Sequence, residues 1–237
     1  MHNRAEKCWK EYNKNDRYMK VIDFGECNSL VGVYVKELRD KNVQKDSMRF
    51  RRNLKRIGEI MSYEISKTLA YDAVDVETPL GVAGCAEISD NVVLATVLRA
   101  GLPFHEGFLS YFDKAENSFV SAYRKYTDEK HQDFEIEIGY IASPSLDGKT
   151  LIIADPMLAT GASMELAYRA LLTKGTPAKV HIASVIASKQ AIDYVKDKFA
   201  DVDATLWVAA VDPILNEHAY IVPGLGDAGD LSFGEKL

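Results

Sequence analysis

The sequence contains 237 residues with a formal net charge of −6, an acidic balance that argues against a nucleic-acid coat protein or a membrane-surface binder. Apolar residues make up 47% and charged residues 27%, which are ordinary values for a globular protein with a substantial core. No apolar run approaches the roughly 20 residues that a membrane-spanning helix needs. The cysteines Cys8, Cys27 and Cys85 are scattered, without metal-binding or redox spacing. Free thiols and a reducing, cytoplasmic location are therefore expected.

The patterned part of the sequence begins at Met19. Residues 1–18 are polar and charged, and we expect a surface tail or a short docked helix there, followed by one domain over 19–237. Over 47–69, apolar residues recur at helical spacing, which predicts an amphipathic helix. The opposite face carries a basic cluster, which consists of Arg49, Arg51, Arg52, Lys55 and Arg56. This cluster is either an ordinary solvated helix face or a surface that faces an anion.

Strand-like and helix-like segments then alternate through the rest of the chain. Strands are predicted over 91–101, 118–126, 133–143, 148–156, 178–188 and 204–213. Helices are predicted over 102–112, 163–175 and 189–200, with Gly175 as the expected end of the second helix. This alternation predicts an α/β fold with a mostly parallel central sheet flanked by helices.

The strand predicted over 148–156 ends at Asp155 and leads through a turn of small residues into a helix. Parallel α/β sheets bind ligands beyond the carboxyl ends of their strands, where this turn is expected to lie. Backbone N–H groups over 159–163 suit a phosphate, and Thr160 and Ser163 add hydroxyl donors. A carboxylate would repel a phosphate, so Asp155 is expected to meet sugar hydroxyls. The turn predicts a ribose-phosphate site; the alternative is that Asp155 caps the helix and the turn binds nothing.

The segment IIADPMLATGAS, 152–163, resembles the phosphoribosyl-pyrophosphate (PRPP) loop of the type I phosphoribosyltransferases, and its Asp-Pro form resembles the uracil phosphoribosyltransferase branch. The resemblance implies the type I phosphoribosyltransferase fold, with a small hood and a C-terminal region that binds the base. Ala162 stands where that branch usually has a second glycine; alanine costs roughly 1 kcal/mol if the position needs a positive φ and nothing if it is helical. The implied PRPP contacts are Asp155, Pro156, Met157, Leu158, Ala159, Thr160, Gly161, Ala162 and Ser163.

The C-terminal segment YIVPGLGDAGD, 220–230, is rich in glycine and would pack poorly as a regular element. Taken alone it predicts a tight loop, with binding and non-binding roles equally open. It closely resembles the uracil-binding loop of the uracil phosphoribosyltransferases. The resemblance implies uracil contacts, made mainly through the backbone, from Ile221, Gly226, Asp227 and Ala228. It also implies that Asp227 contacts PRPP. Fixed amides and a carbonyl can complement the edge of uracil, whereas cytosine would leave buried polar groups unpaired.

Two further segments carry arginines that fit the same family. VLRAGL, 97–102, resembles the family's diphosphate-binding loop and assigns Arg99 to the diphosphate. Without the neighbouring motifs, an arginine in an ordinary surface turn is the simpler interpretation. AYRKY, 122–126, stands where the family usually has Met-Tyr-Arg-Asn-Glu, and Arg124 aligns with an arginine that contacts PRPP. The two residues after Arg124 depart from that pattern.

The resemblance implies the conversion of uracil and PRPP to UMP and diphosphate in pyrimidine salvage, which is a pentosyltransferase reaction. The candidate catalytic residues are Asp155, Asp227, Arg99 and Arg124. Positive charge builds on the ribose as the diphosphate leaves, so positioning and charge neutralisation are expected to carry the catalysis. Mg²⁺ is expected to bind through the PRPP diphosphate, not at a metal site made by protein alone. Asp227 is also a candidate acceptor of the uracil N1 proton.

Members of this family form homo-oligomers, as dimers or larger assemblies, and some respond to GTP. A homo-oligomer is therefore expected, GTP is a candidate effector that no motif in the sequence decides, and no nucleic-acid or membrane partner is expected. The basic cluster would then contribute to subunit contact and nucleotide regulation. One alternative is a pyrimidine-responsive RNA-binding regulator of the same fold, against which the acidic charge and the C-terminal segment argue. A transferase for orotate or a purine is a second, although 221–228 supply no cation for the orotate carboxylate. A catalytically silent subunit is a third, suggested by Ala162 and the neighbours of Arg124.

Overall fold

A computed structural model describes residues 19–126 and 134–236, and describes 122–126 and 134–137 by their backbone alone. The predicted tail, 1–18, lies outside the described residues. The strands are β1 (Lys20–Asp23), β2 (Tyr71–Thr78), β3 (Gly81–Ile88), β4 (Val92–Leu98), β5 (Glu116–Tyr126), β6 (Phe134–Ala142), β7 (Thr150–Ala154), β8 (Met157–Leu158), β9 (Lys179–Ser188), β10 (Ala204–Asp212), β11 (Ile214–Leu215) and β12 (Ile221–Val222). The helices are α1 (Leu30–Arg39), α2 (Ser47–Ser66), α3 (Gly101–Leu109), α4 (Ala162–Leu171), α5 (Lys189–Lys198) and α6 (Ala228–Phe233), with 3-10 turns at Phe24–Glu26 and Leu172–Lys174.

The central sheet has the strand order β1-β10-β9-β7-β4-β5-β6, and the short β8 pairs with β9. Neighbouring strands are parallel except for β5 and β6, which are antiparallel. All five residues of β7 are buried, as expected for a parallel strand that is covered on both faces. The prediction of a mostly parallel sheet flanked by helices is confirmed.

Successive residues of the central strands point to opposite faces of the sheet, and helices cover each face. Val92 and Leu94 of β4 belong to the core formed with α1, α2 and α3. Val93 and Ala95 belong to a second core, formed with α4 and α5. The sheet is therefore held between two helical layers, and its strand ends are left to carry the functional segments.

Two helices confirm the sequence predictions in detail. The helix predicted over 47–69 is α2, whose apolar stripe is buried and whose N-cap, Asp46, accepts a hydrogen bond from the Arg49 N–H at 3.0 Å. The helix predicted over 163–175 is α4, followed by a 3-10 turn. Gly175 ends that turn with a φ of +124°, a conformation that favours glycine. Within the described ranges, no helix combines the length and the apolar character of a membrane span.

The structure also departs from the sequence analysis. No prediction was made for α1 or for the β2–β3 hairpin. The C-terminal segment, predicted as a tight loop, contains the helix α6, so that prediction was wrong in part. The helix forms because Asp227 caps it, with Oδ1 accepting from the Gly229 N–H at 2.8 Å and from the Asp230 N–H at 3.0 Å.

Candidate active site

The residues selected from the sequence gather at the carboxyl edge of the central sheet. β4 and β7 are parallel neighbours in which Thr96 lies opposite Ala154, so the segments that carry Arg99 and Asp155 leave the sheet side by side. The Thr96 hydroxyl donates a hydrogen bond to the Ala154 carbonyl at 3.1 Å and ties the two strand ends together. This is the edge at which parallel α/β sheets bind ligands.

Asp155 is a buried carboxyl group without a cationic partner among the described residues. Its N–H donates to the Ala183 carbonyl at 3.1 Å, and Oδ1 accepts from the Met157 N–H at 3.2 Å. Burial raises the pKa of Asp155 to about 7, and the Met157 N–H offsets only part of this rise. The residue at the N-cap of α4 is Gly161, so the alternative that Asp155 caps this helix is wrong. Near neutral pH, Asp155 can both accept hydrogen bonds from sugar hydroxyls and donate one.

The phosphate turn, residues 159–163, depends on one glycine. Gly161 has a φ of +87°, and a Cβ there would lie 2.8 Å from Tyr194 Cδ1. Ala162 has a negative φ and is the first residue of α4, so its departure from the family's usual glycine introduces no backbone strain. The Ala162 N–H donates to Thr160 Oγ1 at 3.3 Å. The turn therefore presents backbone N–H groups at a helix N-terminus, in a conformation fixed by Gly161.

Two side chains from the region of α5 support the phosphate turn. The hydroxyl of Ser188 donates to the Ala159 carbonyl at 2.6 Å and accepts from the Ala191 N–H at 2.9 Å. The Tyr194 hydroxyl donates to Glu165 in the first turn of α4. Both contacts restrain the turn without using any of its backbone N–H groups.

The C-terminal loop, residues 221–228, buries the side chains of its first and last residues. Ile221 is 5% exposed and Ala228 is 2% exposed, so both side chains pack into the core. Gly226 has a φ of +92°, and a Cβ added there would find only Leu231 Cδ1, at 3.8 Å. Glycine is thus required at position 226 by the backbone conformation and not by lack of space. This arrangement suits recognition of a ligand by backbone amides and carbonyls.

Asp227 is held as a helix cap, and its charge is stabilised there. Burial would raise the pKa of Asp227, but the Asp230 N–H, the Lys236 ammonium group and the Gly229 N–H together lower it. Lys236 Nζ lies 3.4 Å from Asp227 Oδ2. Asp227 is therefore a weaker base than an ordinary aspartate, whereas Asp155 is a stronger one.

Arg99 joins the end of β4 to the C-terminal residues. Its Nη2 donates to Asp230 Oδ1 at 2.9 Å and to the Gly234 carbonyl at 3.3 Å, while 41% of the side chain remains exposed.

Within the described residues, no hydrogen bond joins Asp155 to Asp227. Arg124 lies in β5, where its backbone pairs with β6, and its side chain lies outside the described part of the structure.

Side chains of the basic cluster on α2 form hydrogen bonds and ion pairs with other parts of the chain, which a fully solvated helix face would not do. Arg51 Nη1 donates to the Ser232 carbonyl at 2.6 Å, and its guanidinium carbon lies 6.0 Å from the centroid of the Phe233 ring. Arg49 forms an ion pair with Glu37 at 3.2 Å. Arg51 therefore fastens α6, and with it the end of the C-terminal loop, to α2.

Three residues that the sequence analysis did not select hold the C-terminal loop in place: Arg39, Gln44 and Asp212. Asp212 could have been selected from the sequence, because it lies at the carboxyl end of a predicted parallel strand, as Asp155 does. Arg39 and Gln44 lie in a region for which no element was predicted, and their contacts with the loop span more than 180 residues of sequence in two cases. Such pairings are visible only in the folded chain.

The fold and the site together define a type I phosphoribosyltransferase. A carboxyl-bearing strand end, a phosphate turn opening a helix, and a C-terminal loop meet at one edge of a mostly parallel sheet. The family model described as uracil phosphoribosyltransferase matches residues 28–235. The chain belongs to the uracil phosphoribosyltransferase family and is an enzyme of the pentosyltransferase class.

Individual relatives agree with this assignment. A protein from Porphyromonas gingivalis named uracil phosphoribosyltransferase is 60% identical over 219 residues, which cover 92% of this chain and 100% of that protein. A protein of the same name from Pyrococcus furiosus is 43% identical over 204 residues, 85% of this chain and 84% of its own. The solved structure of the AQ2163 protein from Aquifex aeolicus is 31% identical with a TM-score of 0.79, and the match covers 90% of this chain and 98% of that one. The relatives and the family model give no support to the RNA-binding alternative.

Proposed function

We propose that the protein transfers the phosphoribosyl group of PRPP to N1 of uracil, giving UMP and diphosphate in pyrimidine salvage. The observation that carries this proposal is the placement of buried Asp155 directly before a glycine-dependent turn at the N-terminus of α4. A phosphate and a sugar hydroxyl pair fit these two features at once. The names of the relatives from Porphyromonas gingivalis and Pyrococcus furiosus support the same substrates.

PRPP would bind along the carboxyl edge of the sheet. The backbone N–H groups of 159–163, with the hydroxyls of Thr160 and Ser163, would hold the 5′-phosphate. Asp155 would hold the ribose hydroxyls, with Pro156, Met157 and Leu158 as the connecting contacts. Arg99 and Arg124 would neutralise the leaving diphosphate. Arg99 can serve this role because its side chain is 41% exposed while Asp230 fixes its position.

Uracil would lie against the backbone of the C-terminal loop at Ile221 and at 226–228. The buried side chains of Ile221 and Ala228 support this interpretation, because at these two positions the side chain packs into the core and a ligand would meet the main chain. In the reaction the C1′–O bond to diphosphate breaks, the N1–C1′ bond forms, and the N1 proton passes to the departing diphosphate or to water. The lowered pKa of Asp227 favours a role as a fixed anion near PRPP over a role as the proton acceptor.

The donor groups of this chain fit a Mg²⁺ ion that arrives with PRPP. No cluster of three or more His, Cys, Asp or Glu residues suited to a metal occurs within the described ranges. Mg²⁺ commonly takes most of its ligands from substrate phosphates and water, with one or two carboxylates. The ion would be held by the diphosphate and ribose oxygens of PRPP and by water, and it would add charge neutralisation at the diphosphate.

We also infer a homo-oligomeric enzyme that works in the cytoplasm. The exposed β2–β3 hairpin supports assembly, because Leu80 is 100% exposed and Val82 is 71% exposed. A response to GTP through the basic cluster is part of the same proposal. Arg51 and α6 would connect that cluster to the C-terminal loop.

The experiment that tests the proposed function is UMP formation from PRPP and uracil with Mg²⁺, run beside cytosine, orotate and hypoxanthine. We expect a nucleotide product with uracil and at most traces with the other bases. Efficient use of orotate or hypoxanthine would overturn the assignment of the base. An absence of product with all four bases, together with a strongly salt-dependent affinity for RNA, would favour the regulator instead.

A further inference from the structure

An ion pair connects α1 to the end of β10 directly behind the C-terminal loop. Arg39 Nη1 donates to Asp212 Oδ2 at 2.8 Å, and Nη2 donates to Oδ1 at 2.7 Å. This is the two-bonded geometry in which a guanidinium group fixes a carboxylate most firmly. The Asp212 side chain is only 5% exposed and that of Arg39 is 23% exposed, so solvent screens the pair weakly.

The same ion pair binds both backbone polar groups of Gly224. Asp212 Oδ2 accepts from the Gly224 N–H at 2.9 Å, and Arg39 Nη1 donates to the Gly224 carbonyl at 3.1 Å. Gly224 has a φ of +56°, and a Cβ there would lie 2.1 Å from the Ile221 carbonyl oxygen. The turn between Ile221 and Gly226 is therefore tight, and side chains from distant parts of the sequence fix its centre.

A third side chain binds the next residue of the loop. Gln44 Nε2 donates to the Leu225 carbonyl at 3.1 Å and to the Leu38 carbonyl at 2.7 Å. Gln44 follows α1 and so bridges the end of that helix to the loop. Backbone groups of two consecutive residues, Gly224 and Leu225, are thus held by side chains that lie outside the loop.

The conformation of this turn affects ligand binding, because the loop is suited to bind a ligand through its backbone amides and carbonyls. When a loop binds a ligand through main-chain groups, no flexible side chain can restore a contact that is lost. A shift of the main chain therefore displaces all of its donors and acceptors together. Catalytic and binding groups usually need to be held within a fraction of an ångström. Side chains that immobilise the turn therefore affect how the base binds, although they do not contact the base.

We propose that Arg39, Asp212 and Gln44 are positioning residues that set base affinity and base selectivity. This proposal rests on the proposed function, in which the C-terminal loop binds uracil. The three residues hold the backbone of Gly224 and Leu225 in the conformation that aligns Ile221 and 226–228 with the base. No hydrogen bond or ion pair joins the three side chains to 159–163 in the described structure, so the phosphate turn should keep its own hold on the 5′-phosphate of PRPP.

The test compares Arg39→Gln and Gln44→Ala with the matched control Lys36→Gln. Lys36 lies on the same helix, and its side chain is 72% exposed in a loose pair with Asp40. We expect KM for uracil to rise about tenfold in Arg39→Gln and about fivefold in Gln44→Ala, since each loses hydrogen bonds to the loop. The ratio of kcat/KM for uracil to that for cytosine should fall, while the Kd of PRPP by calorimetry changes much less than KM for uracil, because only Asp227 of the loop lies near PRPP. The Lys36→Gln variant should match wild type throughout.

Hydrogen exchange gives a readout that does not depend on activity. The amides of 224–227 should exchange faster in Arg39→Gln and Gln44→Ala than in wild type, while those of β7 keep their rates. Unchanged exchange at 224–227, or an unchanged KM for uracil, would overturn the proposal. A parallel loss of kcat, uracil affinity and PRPP affinity would also overturn it, because it would show a general structural role. Wild-type protein that makes no UMP would refute the proposed function, and the exchange rates would then still decide whether these residues fix the loop.

Discussion

Replacement of Gly161 by alanine should damage the phosphate turn more than any other single methyl group added there. The φ of +87° costs an L-residue roughly 1–2 kcal/mol. The new Cβ would also lie 2.8 Å from Tyr194 Cδ1 and 3.1 Å from Val195 Cγ2. Overpacking of this kind typically costs about 1–3 kcal/mol, so we expect a total of roughly 2–5 kcal/mol, divided between folding stability and PRPP affinity.

The assays are thermal unfolding and calorimetric titration with PRPP. For a chain of this length 1 kcal/mol corresponds to about 2–4 °C, so Tm should fall by roughly 4–20 °C if the protein absorbs the whole cost. If the turn moves instead, the Kd of PRPP should rise at least about tenfold. The matched control is Ala162→Gly, which lies next in sequence at a negative φ and should change stability by less than about 1 kcal/mol.

A Gly161→Ala variant that binds PRPP and unfolds as wild type does would refute this prediction. A greater loss in Ala162→Gly than in Gly161→Ala would refute it as well. Either result would mean that the turn does not owe its shape to the positive φ and the close approach of α5.

Three further predictions concern the carboxyl group, the C-terminal loop and the basic cluster. Because burial raises the pKa of Asp155 from 3.8 to about 7, the native state binds more protons than the unfolded state in this window. The free energy of unfolding of the wild type should therefore fall relative to that of Asp155→Asn as pH rises from about 4 to 7. Urea unfolding at pH 5 and at pH 8 that gives the same difference in free energy between the two proteins would contradict this. Gly226→Val should lose most UMP formation while circular dichroism shows a folded protein, because the φ of +92° strains a branched residue; Ile221→Val should keep most activity, and the reverse order of kcat/KM would refute backbone recognition. Neutralising Arg49 and Arg52 should shift assembly or the response to GTP without changing base choice, and unchanged sedimentation with an unchanged GTP response would indicate a solvated helix face.

Much of the fold could be predicted because its signals are local. The apolar stripe of α2 recurs at helical spacing and is buried as a unit, so periodicity alone locates the helix. β7 is buried along its whole length and appears in the sequence as a short apolar run. The phosphate turn follows from a general property of parallel sheets, and the structure places Asp155 and Gly161 at the expected edge.

Other elements could not be predicted because packing overrides their local signals. α1 contains Val31, Val33 and Val35, whose branched side chains lower helix propensity, and its contacts with the sheet compensate. Most residues of β2 and β3 are exposed on both faces, so the hairpin lacks the apolar alternation that marks a half-buried strand. The helix α6 is short and contains glycine, and it depends on the Asp227 cap and on Arg51.

The candidate site shows the same division between local and distant information. The sequence alone left open whether Ala162 is strained, since the answer depends on its φ, and the structure shows a helical residue. The sequence also suggested Asp227 as a proton acceptor. The pKa of Asp227 depends on its burial and on neighbouring groups that only the folded chain brings together, and these groups lower it. The contact between Arg39 and Asp212 spans 173 residues, and no spacing rule links the two positions.

The most direct test of the account is a crystal structure of the protein with UMP bound. We predict that the 5′-phosphate accepts hydrogen bonds from backbone N–H groups of 159–163 and that the ribose hydroxyls lie within hydrogen-bonding distance of Asp155. The edge of the uracil ring should meet main-chain groups of Ile221 and of 226–228, with Gly224 still held by Arg39 and Asp212. A phosphate bound away from the start of α4, or a uracil ring contacted only by side chains, would contradict the proposed PRPP and uracil sites.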